Sequence, residues 1–176
     1  MPSPTRKRAL SRYRAVALAG ASLVFGCSSS SPSPARTDAP PTATKDGSSQ
    51  GSADVVSATV SGTAGSYQLS VSLRSPDTGC DLYANWWEVV RPDGSLVYRR
   101  ILAHSHVDEQ PFTRSGGPIP ASADEPLIVR SHLQPGGYGG TELQGSMAGG
   151  FEPVAAPAQL PASLETAPPQ PDGCAF

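Results

Sequence analysis

The sequence predicts an all-β fold, a single antiparallel sandwich of two sheets, and three observations support this prediction. Apolar residues recur at every second position in several short segments, which is the period of a half-buried strand. Glycine and proline, 18 and 19 of the 176 residues, interrupt the chain between those segments. No segment sustains the 3.6-residue period of an amphipathic helix. The segments are therefore short strands joined by turns rather than helices.

The first two predicted strands flank a glycine-bearing turn at residues 62–65, which is typical of a hairpin. In the first strand the apolar residues expected on one face are Val56, Ala58 and Val60. In the second strand the residues expected to face the core are Tyr67, Leu69, Val71 and Leu73. Both patterns predict one buried and one solvated face.

The next two predicted strands run from Leu82 to Val90 and from Leu96 to His106. Between them, residues 91–94 read Arg-Pro-Asp-Gly, a turn in which proline presets φ and glycine takes the left-handed position. Strand alternation places one of Trp86 and Trp87 in the core and sends the other outward, where it would cover an edge or form a contact patch.

Further strands are predicted from Leu127 to Leu133 and from Thr141 to Met147. Six or seven short strands in about a hundred residues are typical of an immunoglobulin or fibronectin-III sandwich, with a small barrel as the alternative. Residues 85–90, 101–106 and 110–117 resemble small exported bacterial β-domains that carry no assigned activity. The resemblance covers residues 55–147 and implies a fold without a function.

The chain begins with a basic segment followed by an apolar run at residues 15–26, too short to span a bilayer as a permanent helix. Residues 23–27, Leu-Val-Phe-Gly-Cys, resemble the lipobox of bacterial lipoproteins. This resemblance implies a signal peptide over residues 1–26 and a Cys27 that carries acyl chains such as palmitate and holds the protein on a membrane. Ser28 implies, by the same resemblance, the outer membrane in a cell that has two. The alternatives are a transmembrane anchor or a signal in which Cys27 is incidental.

Composition divides the remaining chain into three parts. Residues 27–53 are rich in Ser, Pro and Thr and predict a disordered linker with a root-mean-square span of roughly 30 Å. Residues 54–151 form the predicted sandwich domain, and residues 152–176 a Pro- and Ala-rich tail. Without residues 1–26 the chain keeps 8 of its 13 basic residues and all 15 acidic ones, a formal net charge of −7. Nucleic acid is therefore not an expected partner.

Cys80 and Cys174 are the two cysteines that remain once Cys27 is lipidated. An exported protein folds in an oxidising compartment, so we predict a disulfide between them. Such a bridge would give the Pro-rich tail a reason to lie along the domain. The alternative is a frayed terminus with a free or intermolecular thiol.

The three histidines of the chain, His104, His106 and His132, are the candidate metal ligands. If the strand from Leu96 continues through residue 106, the first two point to one face, and His132 lies on a later strand. Three imidazoles in this arrangement suit zinc or copper and resemble locally the metal site of α-type carbonic anhydrases. The alternative is a set of polar, half-exposed histidines bonded to backbone or carboxylates.

No catalytic signature is found. Ser115-Gly116-Gly117 and Gly145-Ser146-Met147 lack the Gly-x-Ser-x-Gly elbow of serine hydrolases, and Asp108 and Glu109 are expected in a solvated turn. Arg99, Arg100 and Arg114 are expected to pair with Glu88 or Asp108. The sequence therefore favours a membrane-tethered binding or structural module without a cofactor, with an envelope protein or glycan as its unidentified partner. The alternative is a zinc- or copper-binding protein.

Overall fold

Eight β-strands form the protein in the computed structural model, which describes residues 51–154 and 157–175. The signal peptide, Cys27 and most of the predicted linker lie outside the described residues. The strands are β1 (Asp54–Ser61), β2 (Tyr67–Arg74), β3 (Tyr83–Val90), β4 (Leu96–Ile101), β5 (Phe112–Ile119), β6 (Leu127–Gln134), β7 (Leu143–Ser146) and β8 (Gly150–Pro153). A 3-10 helix, Ala162–Thr166, follows them.

The strands form two antiparallel sheets. The smaller has the order β1-β2-β5, and the larger has the order β4-β3-β6-β7-β8. The chain changes sheet after β2, β4 and β5, as in sandwiches with Greek-key connections. The predicted all-β sandwich of immunoglobulin or fibronectin-III type is therefore confirmed.

The core lies between the inner faces of the sheets. The predicted inward set of β2 is buried, and Leu69, Val71 and Leu73 are fully enclosed. From the larger sheet, Trp87 and Val129 contribute to the same core. The residues of the inner faces are those that alternation along the strands predicts, because every second side chain of a strand lies on the same side of the sheet.

The first strand departs from its predicted pattern at Val56. A β-bulge lies between Val55 and Ser57, so the side-chain alternation shifts by one residue there. Val55 is consequently in the core and Val56 is 40% exposed, contrary to the expectation that Val56 would share a face with Ala58.

The strand β5 was not predicted because its sequence, FTRSGGPI, reads as a loop. It lies at the edge of the smaller sheet, where proline is tolerated since one side of the strand has no ladder partner. Gly116 is required by packing: a Cβ there would come within 2.9 Å of Trp87 and 2.6 Å of the Tyr98 hydroxyl. Glycine, which usually indicates a loop, is thus used here to let two elements of the core pack closely.

Pairing also extends slightly past the boundary expected at residue 151, because β8 runs to Pro153 and pairs with β7. Beyond it, residues 157–175 have little regular structure but contain the buried residue Leu164. Leu164 packs against Val90 and Ile128 on the outer face of the larger sheet. This segment, called the tail strap below, therefore covers the side of that sheet that faces away from the core.

Candidate site on the strap-covered face of the larger sheet

The two tryptophans point to opposite faces of β3, as predicted, but both are buried. Trp87 is fully enclosed in the inter-sheet core, whereas Trp86 is 2% exposed on the outer face. Trp86 is therefore not available as the contact patch that was one of the two roles expected for the outward tryptophan. The reason is that the outer face is covered by the tail strap and by Tyr138, which contacts Trp86 edge-on with ring centroids 6.3 Å apart.

A fully buried carboxylate lies next to Trp86 on this face. Glu88 pairs across the ladders with Arg99 of β4 and Arg130 of β6. The Arg99 guanidinium donates to Glu88 Oε2 through Nε at 2.8 Å and Nη2 at 2.6 Å. Arg130 Nε donates to Oε1 at 2.9 Å. A buried charge must be paired in this way because desolvation otherwise costs several kcal/mol.

Arg99 also holds the tail strap. Its Nη1 donates to the carbonyls of Ala167 and Pro169, and its Nη2 donates to the carbonyl of Leu164 at 2.6 Å. Guanidinium groups supply five donors and no acceptor, whereas a proline-rich segment has carbonyls and few N–H groups. The two are chemically complementary, so a strap without a β-ladder is nonetheless well bonded.

Both ends of the tail strap are fixed as well. Near its start, the amide of Ala158 donates to Glu142 Oε2 at 2.9 Å. Near its end, Cys174 forms a disulfide with Cys80, which confirms the predicted bridge. The next residue, Ala175, donates its amide to the carbonyl of Ala103.

An aromatic stack adjoins the buried ions. The ring of His132 lies on the ring of Trp86 with centroids 3.8 Å apart, and the Arg99 guanidinium covers the indole 4.4 Å from its centroid. Arg130 lies 3.6 Å from the centroid of the Tyr138 ring. Burial raises the pKa of Tyr138 to about 12, so its hydroxyl stays protonated at neutral pH.

His132 is held by hydrogen-bonding neighbours on both sides of its ring. Its Nδ1 lies 2.7 Å from Asn85 Oδ1, and its Nε2 lies 3.2 Å from Glu165 Oε1 of the strap. Burial lowers the pKa of His132, and the nearby Glu165 carboxylate opposes that shift. The ring is thus neutral at pH 7, and one of its nitrogens is a donor while the other is an acceptor.

A polar cleft of about 430 Å³ opens between the strap and the ends of β3 and β6. Its strap wall includes Glu165, Gln170 and the Cys80–Cys174 bridge. Its sheet wall consists of Tyr83, Asn85, Trp86, His132 and Gln134. The volume falls in the range of small-molecule sites.

The structure does not bring the predicted metal ligands together. The strand β4 ends at Ile101, so His104 and His106 lie in the following loop rather than on a strand. They contact each other with ring centroids 4.5 Å apart, whereas His132 is stacked on Trp86. Within residues 51–154 and 157–175, no group of three or more His, Cys, Asp and Glu side chains is placed to hold a metal ion.

His106 instead has a packing position beside a buried carboxylate. Its ring stacks on Phe112 with centroids 3.8 Å apart, and it is 4% exposed. Its amide donates to Asp77 Oδ2 at 2.8 Å, and Asp77 Oδ1 accepts from the amide of Ala84. The loop is therefore fixed to β3 through Asp77.

The expected arginine pairs are found in part. Arg99 pairs with Glu88, but Arg114 pairs with Glu109 at 2.8 Å rather than with Asp108. The roles of Arg130 and Tyr138 were not predicted from the sequence. A usable signal is the presence of Glu88 at an outward position in a mostly apolar strand, since such a carboxylate needs partners on the neighbouring strands.

Comparison with known proteins gives one relative. The chain is 38% identical over 92 residues to a protein of Halomicrobium mukohataei named "Putative lipoprotein". The aligned part is 52% of this chain and 45% of the relative, so the chain spans under half the length of that protein. No family model matches the chain, and no solved structure matches it. In the part of the chain that the structure describes, no helix has the length and apolarity needed to cross a membrane.

Proposed function

We propose that this chain is an exported, lipid-anchored protein of the cell envelope whose sandwich acts as a binding or structural module rather than as an enzyme. The observation that carries the proposal is the use of its three cysteines. Cys80 and Cys174 are joined, a bond that forms in oxidising compartments, which leaves Cys27 as the remaining cysteine, in the lipobox-like segment.

The similarity to a protein named lipoprotein supports the same location. Two or three acyl chains on Cys27 would anchor the protein durably, because each buried methylene contributes about 0.8 kcal/mol to membrane affinity. Residues 28–53 would then hold the sandwich clear of the membrane surface. In a cell with two membranes, Ser28 favours the outer one.

A binding or structural role is favoured because the buried charged groups of the outer face are engaged in structure. Glu88 is saturated by two arginines, and Arg99 is committed to the strap. General acid–base catalysis needs a titratable group within reach of substrate. Three titratable side chains border the cleft. His132 and Glu165 are bonded to each other, and the third is Tyr83, whose pKa burial raises above its usual value.

The anchor is tested by growing cells that express the full chain with a labelled fatty acid. We expect label on the protein and partitioning into detergent, with both lost in Cys27→Ala. Ser28→Ala, one residue away, is the matched control and should keep both. Label retained by Cys27→Ala would refute the anchor, and Ser28→Asp should move the protein to the inner membrane of a cell with two.

A further inference from the structure

We propose that the cleft beside the Cys80–Cys174 bridge binds a neutral ligand rich in hydroxyl groups and the size of one sugar residue. The inference deepens the proposed function. It rests on that function only for the cellular location, the cell envelope, in which the protein would meet such a ligand. It would assign the module a glycan or free sugar as its ligand.

Two buried side chains in the cleft have polar atoms without a partner among the described residues. Tyr83 and Asn85 are each 3% exposed, yet no hydrogen bond is made by the Tyr83 hydroxyl or by the Asn85 amide nitrogen. Neither atom is among the fully enclosed polar atoms that lack a partner, so each has some access to solvent, and both residues line the cleft. Polar groups of buried residues are normally satisfied, and a ligand or water must supply the missing bond.

The charges around the cleft favour a neutral ligand. Glu165 is the one carboxylate among the residues that line the cleft, and burial lowers the pKa of His132. Its carboxylate repels an anion, and the Asn85 N–H and Tyr83 O–H are donors that a bare cation cannot use. Hydroxyl groups donate and accept, so they match this mixture of donors and acceptors.

The indole of Trp86 cannot act as a stacking platform, since His132 covers one side and Arg99 lies over the ring as well. Recognition would therefore depend on hydrogen bonds from the walls. For such a ligand we expect a modest affinity, with a Kd of roughly 1 to 10 mM for a single sugar residue.

The tail strap completes the site. Glu165, Gln170, Pro171 and Gly173 form one wall, and the bridge holds that wall against the sheet. Reduction of the disulfide should therefore weaken binding even where the sandwich stays folded.

The test uses the oxidised full chain carrying Cys27→Ala, so that its result is independent of lipidation. The protein has two tryptophans, which give two indole N–H signals in a nitrogen-15 NMR spectrum. Trp86 lines the cleft and Trp87 lies in the core, so one reports binding and the other is an internal control. We titrate D-glucose, N-acetyl-D-glucosamine and its disaccharide, up to about 100 mM.

We expect a saturable shift of the Trp86 signal alone. Tyr83→Phe should raise the Kd roughly 3- to 10-fold, the value of one hydrogen bond, without changing the unfolding midpoint. Tyr67→Phe, the same change at a core tyrosine outside the cleft, should bind normally. Tighter binding of the disaccharide would identify a glycan chain as the source, and equal binding a free sugar.

D-glucuronate, which adds a carboxylate to the glucose ring, should bind more weakly than D-glucose because of Glu165. No saturable shift with any of the sugars would overturn the proposal, as would equal Kd values for Tyr83→Phe and the unsubstituted chain. Preferred binding of glucuronate would overturn the neutral-ligand assignment. None of these results would affect the fatty-acid labelling of Cys27.

Discussion

The two faces of the larger sheet are both buried, but different chemistry buries them. The inner face places apolar side chains such as Trp87 and Val129 against the other sheet. The outer face buries Glu88, Arg99 and Arg130 beneath a segment with little regular structure. Strand alternation thus determines which side chains share a face, whereas the covering of that face depends on distant parts of the chain.

The difference also changes what a substitution does. When a side chain of an apolar core is shortened, the protein loses the free energy of burying the removed atoms, and a cavity remains in their place. A buried ionic group leaves its partners charged and unpaired when one member is removed, which is costly even if the new residue packs well. On the outer face this cost falls on two arginines, one of which also bonds three strap carbonyls.

The largest effect is expected for Glu88→Leu. The change leaves Arg99 and Arg130 buried without their carboxylate, and we expect the free energy of unfolding to fall by about 3 to 5 kcal/mol. Urea unfolding measures it. Glu109→Leu is the matched control, because it removes an exposed carboxylate that pairs with Arg114, and the unfolding midpoint should barely move. A similar small change for Glu88→Leu would contradict the account.

An intermediate effect is expected when Cys80 and Cys174 are both replaced by Ser. The bridge closes a long loop between residues 94 positions apart, and its loss should lower the free energy of unfolding by about 2 to 4 kcal/mol. Limited proteolysis should then cut the strap before the sandwich. The reason is that the bridge attaches the strap to the outer face and does not join the two sheets to each other. Cleavage that begins equally in both regions would show that the two faces are not independent.

The smallest effect is expected from pH. Burial lowers the pKa of His106 and of His132 below the usual value, so the unfolded chain takes up protons first as the pH falls. The free energy of unfolding should therefore be constant above about pH 6.5 and should decrease below it, until the lowered pKa values of the folded state are reached.

Urea unfolding between about pH 7 and pH 5 checks this pH dependence. Replacing both histidines by Asn should make the free energy of unfolding nearly independent of pH in this range. His132→Asn alone should remove the contribution of the histidine on the outer face. An unchanged slope in the double variant would assign the dependence to other groups.

The strands with a clear alternation were predicted from the sequence. The inward set of β2, the Pro-Asp-Gly turn before β4 and the range of β6 match the structure closely. Two features were not predictable by that method. The bulge at Val56 depends on pairing with β2, and Gly116 of β5 allows close packing on Trp87.

The candidate site was predicted only in fragments. Cysteine count and compartment were enough to predict the disulfide, since two cysteines permit one pairing. The placement of His104 was wrong because β4 ends three residues before it, and residues 101–106 contain neither glycine nor proline to signal the end of a strand. The bonds from Arg99 to the strap join residues more than 60 positions apart, and no local pattern encodes them.

Hydrogen exchange of the strap tests most directly the central claim, that Arg99 and its buried partners make the tail strap part of the fold. In the oxidised full chain, the amides of Leu164 and Ala167 donate within the strap and should exchange slowly. In Arg99→Leu, with the disulfide intact, they should exchange much faster while amides of β2 remain protected. Fast strap exchange in the unsubstituted chain, or equal protection in Arg99→Leu, would contradict the account.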